Sequence, residues 1–234
     1  MKAVILVGGM GTRLRPITLE IPKPLVPVKK KPLVNHRIEF LAGHGVTEIA
    51  LLASRAHFDD FRRWKKAWDD ELPQGVAVHL FYEEKPRGTF GGFEMLREWI
   101  GNKPFLMMNG DDLCEMDITD MVAFHAKGDA LGTLALTELD DVREKGVPVM
   151  EGDRIVQFLE KPQHMRAGNI SAGIYVLDPK VFDYADFTKE NLMIEKDIFP
   201  QLATAGKLRG YKAQNMRWYD CGTMAGWERA IREW

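Results

Sequence analysis

Near its start the chain reads Val4-Ile5-Leu6-Val7-Gly8-Gly9-Met10-Gly11-Thr12-Arg13-Leu14-Arg15-Pro16, and a lysine follows in Pro22-Lys23-Pro24. The four apolar residues predict a short buried strand, which the glycines end. Glycine is favoured where the backbone turns tightly or approaches a ligand closely. Backbone N–H groups backed by arginine and lysine side chains suit a polyphosphate. The stretch therefore predicts a strand, a tight turn and a binding site for a nucleoside triphosphate.

This stretch does not match either of two well-known glycine-rich loop motifs. A P-loop needs Gly-Lys-Ser or Gly-Lys-Thr, and neither occurs in the chain. The dinucleotide fingerprint would start at Gly9 and Gly11 but meets Leu14 where its third glycine belongs. The remaining alternative is a glycine turn with no ligand, which would leave three cations crowded at a turn without a reason.

Composition sets the broad class. The chain has 234 residues, 45% of them hydrophobic and 28% charged, and a formal net charge of -2. This length can bury the core of one large domain, and this charge gives no general attraction to nucleic acid or to an anionic membrane. No apolar run predicts a membrane span or a signal peptide. Cys114 and Cys221 lack metal-ligand spacing and are predicted to be free thiols, so we expect a cytoplasmic protein.

The hydrophobic pattern predicts an α/β fold. In the first half, short apolar strands alternate with amphipathic helices, which is typical of a parallel sheet flanked by helices. Ligands of such sheets bind at the carboxyl ends of the strands. The predicted strands there are residues 2–7, 48–53, 76–82 and 105–108, and the predicted helices are residues 32–44, 58–70, 91–100 and 118–127.

The second half is richer in strands. We predict strands at residues 130–138, 147–150, 155–160, 171–177 and 208–212, and helices at residues 193–205 and 225–233. No linker or repeat separates the halves. We therefore expect one domain over residues 1–234, with a nucleotide-binding half at residues 1–128 and a sugar-phosphate half at residues 129–234. The second half would continue the sheet and add a small substrate lobe.

Carboxylates follow two apolar segments. Asp111 and Asp112 come directly after the strand at residues 105–108, and Asp220 lies between aromatic residues and a glycine turn. Carboxylate oxygens suit Mg²⁺, which takes one or two of them and keeps substrate phosphates as further ligands. Position favours Asp111 over Asp112. The alternatives are an Asp-rich turn that caps the next helix and a helix N-cap around Thr223.

Three other segments carry polar or small residues at strand ends. Glu160-Lys161-Pro162 could bind sugar hydroxyls and an anionic group, or form a salt-bridged surface turn. The small residues of Asn169–Gly173 leave room for a ligand or for close packing. The second glycine-rich turn, Glu84–Gly92, could bind the edge of a nucleobase or only begin a helix. The six histidines show no metal spacing, and no chemistry is assigned to them.

Taken together, these motifs closely resemble the sugar-phosphate nucleotidyltransferases, which join a nucleoside triphosphate to a sugar 1-phosphate and release pyrophosphate. The motifs follow the family's order over nearly the whole chain. They are Gly-Gly-x-Gly-Thr-Arg-Leu-x-Pro at residues 8–16, Pro-Lys-Pro-Leu at 22–25, Gly-Thr-x-Gly at 88–91, Gly-Asp at 110–111, Glu-Lys-Pro at 160–162, Ala-Gly-Ile-Tyr at 172–175 and Trp-x-Asp-x-Gly-Thr at 218–223.

The resemblance implies a Rossmann-like, mixed and mostly parallel sheet of the GT-A-like type, and it assigns roles. The catalytic residues would be Arg13, Lys23, Asp111 and Asp220, and the ligands of Mg²⁺ would be Asp111 and Asp220. The nucleotide-binding residues would be Leu6, Gly8, Gly9, Gly11, Thr12, Arg13, Lys23, Glu84, Gly88 and Thr89. The sugar-phosphate-binding residues would be Asn109, Gly146, Glu160, Lys161, Ser171, Gly173 and Trp218.

Three residues depart from the family pattern. Ser171 stands where many members carry asparagine, Arg87 replaces a common leucine, and Asp112 stands where an apolar residue is usual. The segments 4–9 and 194–200 look most like mannose 1-phosphate guanylyltransferases, so GTP and mannose 1-phosphate are the expected substrates. A heptose 1-phosphate, or UTP or dTTP with another sugar 1-phosphate, is the alternative. No hexapeptide-repeat domain is expected, and a homodimer is possible.

Two other functional classes stay open at this stage. A metal-dependent glycosyltransferase also places an aspartate motif at a strand end. Its reaction, however, involves no pyrophosphate that cations such as Arg13 and Lys23 could bind. A catalytically silent sensor of nucleotide sugars would not need the complete set of charged residues. The two hypotheses differ from the enzyme in whether pyrophosphate is released.

Overall fold

The computed structural model of the protein describes all 234 residues and has an α/β fold. The thirteen strands are β1 (Lys2–Leu6), β2 (Pro27–Val28), β3 (Lys31–Pro32), β4 (Glu48–Ser54), β5 (Ala77–Glu83), β6 (Phe105–Asn109), β7 (Asp112–Glu115), β8 (Gly132–Leu139), β9 (Gly146–Glu151), β10 (Arg154–Glu160), β11 (Gly168–Leu177), β12 (Leu208–Lys212) and β13 (Arg217–Asp220). The predicted α/β class, a mixed sheet flanked by helices, is confirmed.

The chain has six α-helices, of which the last follows β13. They are α1 (Leu33–Gly43), α2 (Phe58–Trp68), α3 (Arg97–Ile100), α4 (Ile118–Ala126), α5 (Phe199–Thr204) and α6 (Met224–Glu233). Helix α2 shows why such segments fold as they do. It buries Phe61 and Trp64 and carries Asp59 and Asp60 in its first turn, where the helix dipole favours negative charge.

Internal contacts divide the chain into two compact units. The first unit contains residues 1–85, 108–116 and 217–234, and the second contains residues 86–107 and 117–216. The units are thus interleaved along the sequence. The predicted division at residue 128 assigned the nucleotide to the first half of the chain and the sugar phosphate to the second, and this assignment stays a prediction.

In the first unit, β1, β4 and β5 pair in parallel in the order β5-β4-β1. The apolar runs of β1 and β4 are buried on both faces, as parallel strands covered by helices require, whereas the edge strand β5 is mostly half-buried. Beside them, β7 and β13 form a two-stranded antiparallel ladder in which Asp112 lies opposite Asp220. This ladder packs with α1 and α6 around a small core formed by Val28, Leu33, Leu113, Tyr219, Cys221 and Ala230.

In the second unit, five strands lie in the order β11-β8-β12-β10-β9, with antiparallel pairs except for the parallel pair of β8 and β12. Its core includes stacked phenylalanines. The rings of Phe90 and Phe93 lie 4.6 Å apart and almost parallel, and Phe182 lies 5.5 Å from Phe90.

Most predicted strands and helices are present, with ends shifted by one to three residues. Two predicted helices are interrupted. The segment 91–100 starts with 3₁₀ turns at Gly91–Leu96, where two adjacent glycines disfavour an α-helix, and residues 193–205 contain a π-helical turn at Ile194–Ile198 before α5. The sequence analysis missed β2, β3, β7 and β13, which have two to four residues each.

None of the helices is both long enough and apolar enough to cross a lipid bilayer.

The turn between β6 and β7 depends on Gly110. Its N–H donates to the Leu6 carbonyl of β1 at 3.0 Å, and a Cβ there would lie 2.4 Å from that oxygen. We expect Gly110→Ala to lower the free energy of unfolding by about 2 to 3 kcal/mol in urea denaturation, because the strand end must shift. Gly9→Ala is the control, since nothing lies within 4 Å of a Cβ there. Equal stability of the two variants would contradict this packing.

Candidate active site

The glycine loop, residues 8–11, follows β1 directly. A Cβ at Gly8 would lie 3.1 Å from the Ser54 nitrogen. Gly11 has a positive φ of 60°, and its Cβ would lie 2.8 Å from the Thr18 methyl group. Gly9 instead faces open space and is exposed. Packing thus explains two of the glycines, and the third leaves bare backbone that a ligand can approach.

Three other residues of this unit that are predicted to bind nucleotide lie in different places. The Leu6 carbonyl is used by the Gly110 N–H, and Thr12 is exposed at the start of a 3₁₀ turn. Glu84 is exposed just after β5, and its carboxylate lies 3.9 Å from Arg55 Nε. The structure therefore places Leu6 and Thr12 at the glycine loop and Glu84 in an exposed turn.

Two of the predicted cations differ sharply in exposure. Lys23 is 6% exposed, and its ammonium group binds the carboxylate of Asp111. The Arg13 side chain is 55% exposed, with Nη1 at 4.0 Å from Asp220 Oδ2. A buried lysine needs a carboxylate partner, whereas an exposed arginine can turn toward a ligand. Lys23 is thus a fixed charge, and Arg13 is available to an anion.

Gly222 is the point at which these charges meet. A Cβ there would lie 2.6 Å from Lys23 Nζ, 2.7 Å from Asp220 Oδ1 and 3.1 Å from Arg13 Nη2. Its N–H donates to Asp220 Oδ1 at 2.8 Å. Because Lys23 also binds Asp111, the four residues predicted to be catalytic are brought together around one glycine. In the sequence, Gly222 stands out only as part of a turn.

The β7–β13 ladder explains how the two aspartates come close. Asp111 immediately precedes β7, Asp220 ends β13, and the register sets Asp112 opposite Asp220. Thr223 then caps α6, accepting from the Gly226 N–H at 3.1 Å. The predicted N-cap at Thr223 is therefore present beside Asp220, and the metal-ligand role of Asp220 stays a prediction. Asp111 and Asp112 do not cap a helix, because a strand follows them.

Negative charge is concentrated here. Burial, together with the carboxylates of Asp112, Asp220 and Asp111 and against an opposing effect of Arg37, raises the pKa of the Cys221 thiol to about 12. We call Asp111, Asp112 and Asp220 the carboxylate cluster. The Cys221 thiol stays protonated in this surrounding and does not act as a nucleophile.

Two residues predicted to bind the sugar phosphate also belong to the first unit. Asn109 ends β6 and is half-buried, with its carbonyl accepting from Arg37 Nη2 at 3.3 Å. Trp218 is half-buried in β13, and its carbonyl accepts from Arg229 Nη2 at 3.2 Å.

In the second unit, the Gly88 turn is held by close backbone packing. Gly88 has a φ of 83°, and a Cβ there would lie 2.5 Å from the Leu192 carbonyl oxygen. The Thr89 hydroxyl donates to Glu195 Oε2 at 2.5 Å and accepts from the Ile194 N–H at 3.0 Å. These bonds fix the turn against the π-helical turn that carries Glu195.

Glu195 is a residue that the sequence analysis did not select. Burial raises the pKa of its carboxyl group, the Thr89 hydrogen bond lowers it, and the neighbouring Glu160 raises it. A π-helical turn is a frequent feature of functional sites. In the sequence, the only signal for Glu195 was the segment 194–200, in which no single residue stood out.

Arg87, one of the departures from the family pattern, is bound within this loop. Its guanidinium pairs with Glu94 at 2.6 Å and donates to the Phe187 carbonyl. The side chain therefore tightens the turn around Gly88.

Glu160 and Lys161 lie at the end of β10. Burial raises the pKa of Glu160, although Lys161 and Lys196 lower it. Lys161 has a φ of 55°, its N–H donates to the Lys145 carbonyl, and its ammonium lies 3.7 Å from Glu144. A non-glycine residue in this left-handed conformation is strained, which is common at ligand sites.

The other small residues of the second unit have packing roles. A Cβ at Gly146 would lie 2.5 Å from the Phe158 ring and 3.3 Å from Glu160 Oε2. Gly173, with a φ of 74°, lies in an irregular part of β11, and its N–H donates to the Ser171 hydroxyl at 3.4 Å. Ser171 donates in turn to the Tyr175 hydroxyl at 3.2 Å.

Two named proteins are similar in sequence to most of this chain. It is 37% identical over 226 residues to mannose-1-phosphate guanyltransferase beta-B of Xenopus laevis and 36% identical over 227 residues to mannose-1-phosphate guanyltransferase of Candida albicans. Each alignment covers 95% of this chain and 61% of the relative, so the chain spans about three fifths of the length of these proteins.

Solved structures give the same picture of the fold. A Bacillus anthracis protein assigned as a glucose-1-phosphate thymidylyltransferase, solved with sucrose, matches with a TM-score of 0.88 and 27% identity, covering 99% of this chain and 94% of that one. HddC from Yersinia pseudotuberculosis, complexed with GMP-PN, matches with a TM-score of 0.81 and 26% identity, covering 99% and 98%.

The motifs, the fold and the relatives agree, and the family model described as Nucleotidyl transferase matches residues 2–233. The chain belongs to the nucleotidyl transferase family.

Proposed function

We propose that this chain transfers a guanylyl group from GTP to mannose 1-phosphate, giving GDP-mannose and pyrophosphate. The observation that carries the reaction type is the convergence of Arg13, Lys23, Asp111 and Asp220 around Gly222. The named relatives support the choice of mannose 1-phosphate, and the GMP-PN complex of HddC supports a guanine nucleotide.

The first unit would bind the triphosphate. The open backbone at Gly9 would face the phosphates, and the exposed Arg13 guanidinium would turn from Asp220 to the β- and γ-phosphates. The new bond joins a sugar phosphate oxygen to the α-phosphorus, and the bond to pyrophosphate breaks. Arg13 would stabilise the charge that grows on the leaving pyrophosphate. The attacking phosphate is already ionised, so no general base is needed.

The residues of the first unit fit a magnesium ion carried by the nucleotide. No group of three His, Cys, Asp or Glu side chains forms a closed metal site. Mg²⁺, however, usually takes one or two carboxylates and completes its shell with water and substrate phosphates. Asp111 and Asp220 would supply those carboxylates, with Asp111 bound by Lys23. Bound there, Mg²⁺ would neutralise phosphate charge in the transition state.

In the second unit, Gly88 and Thr89 would contact the base, and Glu160 and Lys161 would bind the sugar phosphate. The Lys161 ammonium has only a loose contact with Glu144, at 3.7 Å, and is free to exchange it for a phosphate. Glu160 can accept hydrogen bonds from sugar hydroxyls, and the absence of a Cβ at Gly146 lets Phe158 and Glu160 pack beside it. Ser171 and Gly173 of this unit would add contacts to the sugar phosphate, and Asn109 and Trp218 of the first unit are the other residues predicted to bind it. A cytoplasmic location and a homodimer stay predictions.

Substrate identity is tested by turnover of GTP, UTP, dTTP, CTP and ATP against a panel of sugar 1-phosphates, with pyrophosphate release as the readout. We expect GTP with mannose 1-phosphate to give the highest kcat/KM. A preference for a pyrimidine nucleotide would replace GTP in the proposal. Glycosyl transfer without pyrophosphate would instead indicate a glycosyltransferase, and binding of nucleotide sugar with no turnover would indicate a sensor.

The carboxylates are tested by Asp111→Asn and Asp220→Asn. Each should lower kcat by about 100-fold or more, because each removes charge needed to hold the cation in the transition state. Circular dichroism should show an intact fold. Asp129→Asn, in an exposed pair with Lys207, is the matched control and should keep full activity. Full activity of either site variant would contradict the assignment.

Lys161 is tested by Lys161→Ala. Loss of a charged hydrogen bond to phosphate should raise the KM for sugar phosphate by about 10- to 100-fold. The KM for nucleotide should change by less than about threefold. Lys207→Ala, which removes an exposed lysine, serves as the control. Equal losses for both substrates would show that Lys161 does not bind the sugar phosphate.

A further inference from the structure

Arg37 is a buried cation that the proposed mechanism does not use. It lies on α1 and is 1% exposed. Its Nη1 donates to Cys114 Sγ at 2.8 Å and its Nη2 to the Asn109 carbonyl at 3.3 Å, while its Nε has no partner. A buried guanidinium bound only to neutral acceptors is costly unless a negative charge lies near it.

The two acceptors bracket the turn that carries Asp111. Asn109 ends β6 and Cys114 lies within β7, so one planar group binds both sides of that turn. Arginine suits this role because its donors point in fixed directions. A change in the Arg37 position would therefore move the backbone at Asp111.

Asp112 is placed to supply the missing charge. Its side chain is 6% exposed, and it shares a face of β7 with Cys114, because side chains two residues apart in a strand point the same way. Arg37 Nη1 donates to the Cys114 sulfur on that face, so the two buried charges lie on the same side of the ladder.

We propose that Arg37 is a positioning residue for Asp111, with Asp112 as its buried counter-charge. The positioning role rests on the proposed function of Asp111 as a cation ligand. The pair also gives a reason for Asp112, a carboxylate at a position where the family resemblance predicts an apolar residue. Asp112 balances the cation that holds the turn, and Asp111 stays available to metal.

The pair itself is tested by thermal unfolding in EDTA of Arg37→Gln, Asp112→Asn and the double variant. Each single change leaves one buried charge without its partner and should lower Tm by about 10 °C. The double variant should recover at least half of that loss. Additive losses would overturn the pairing. Glu39→Gln, on the same helix and half-exposed beside Lys31, is the control and should not shift Tm by more than about 2 °C.

Positioning is tested with Mn²⁺ as the probe, by electron paramagnetic resonance of the protein without substrates. Binding at Asp111 is the fraction that Asp111→Asn removes. Arg37→Lys keeps the charge but not the two-pronged contact, so we expect Tm within about 4 °C of the parent and a roughly tenfold higher Kd for Mn²⁺. An unchanged Kd, or no Mn²⁺ binding by the parent, would overturn the positioning role.

These readouts separate the two proposals. Neither requires pyrophosphate release, so a failure of the proposed transferase activity would leave both measurements interpretable. Normal transferase activity with additive Tm losses and an unchanged Mn²⁺ affinity would instead reject the role of Arg37 alone.

Discussion

The structure of the first unit depends on keeping three carboxylates close together. Asp111, Asp112 and Asp220 lie at adjoining ends of two short strands and all raise the pKa of the Cys221 thiol. Like charges placed opposite each other destabilise a sheet. Cations offset this repulsion: Lys23 binds Asp111, and Arg13 lies 4.0 Å from Asp220. Concentrated negative charge held in this way would suit the magnesium ion of the proposed function.

Small residues make this arrangement sterically possible. Gly110 lets the turn before β7 lie against β1, and Gly222 leaves the space where Lys23, Arg13 and Asp220 converge. In the second unit, Gly88 permits contact with the Leu192 carbonyl while Thr89 binds Glu195. Any larger side chain at these positions would meet backbone or charged atoms.

Much of this could be predicted from the sequence because the signals are local. The apolar runs predicted β1, β4, β5 and β6, and the order of motifs predicted the family. The short strands β7 and β13 were missed because four residues give no clear period, and their pairing joins segments about 100 residues apart. Interrupted helices were missed because a glycine pair and a π-helical turn change the geometry without changing the apolar pattern.

The sequence by itself determined the α/β class and the chemical groups available: a glycine loop, two cations and carboxylates in a recognisable order. Only the tertiary structure decided which of them meet. The antiparallel register places Asp112 opposite Asp220, and burial separates the fixed Lys23 from the exposed Arg13. The burial of Arg37 beside Asn109 and Cys114 likewise has no local signal. The reason is physical, because contact and desolvation depend on the packing of distant segments, whereas strand and turn preferences depend on neighbouring residues.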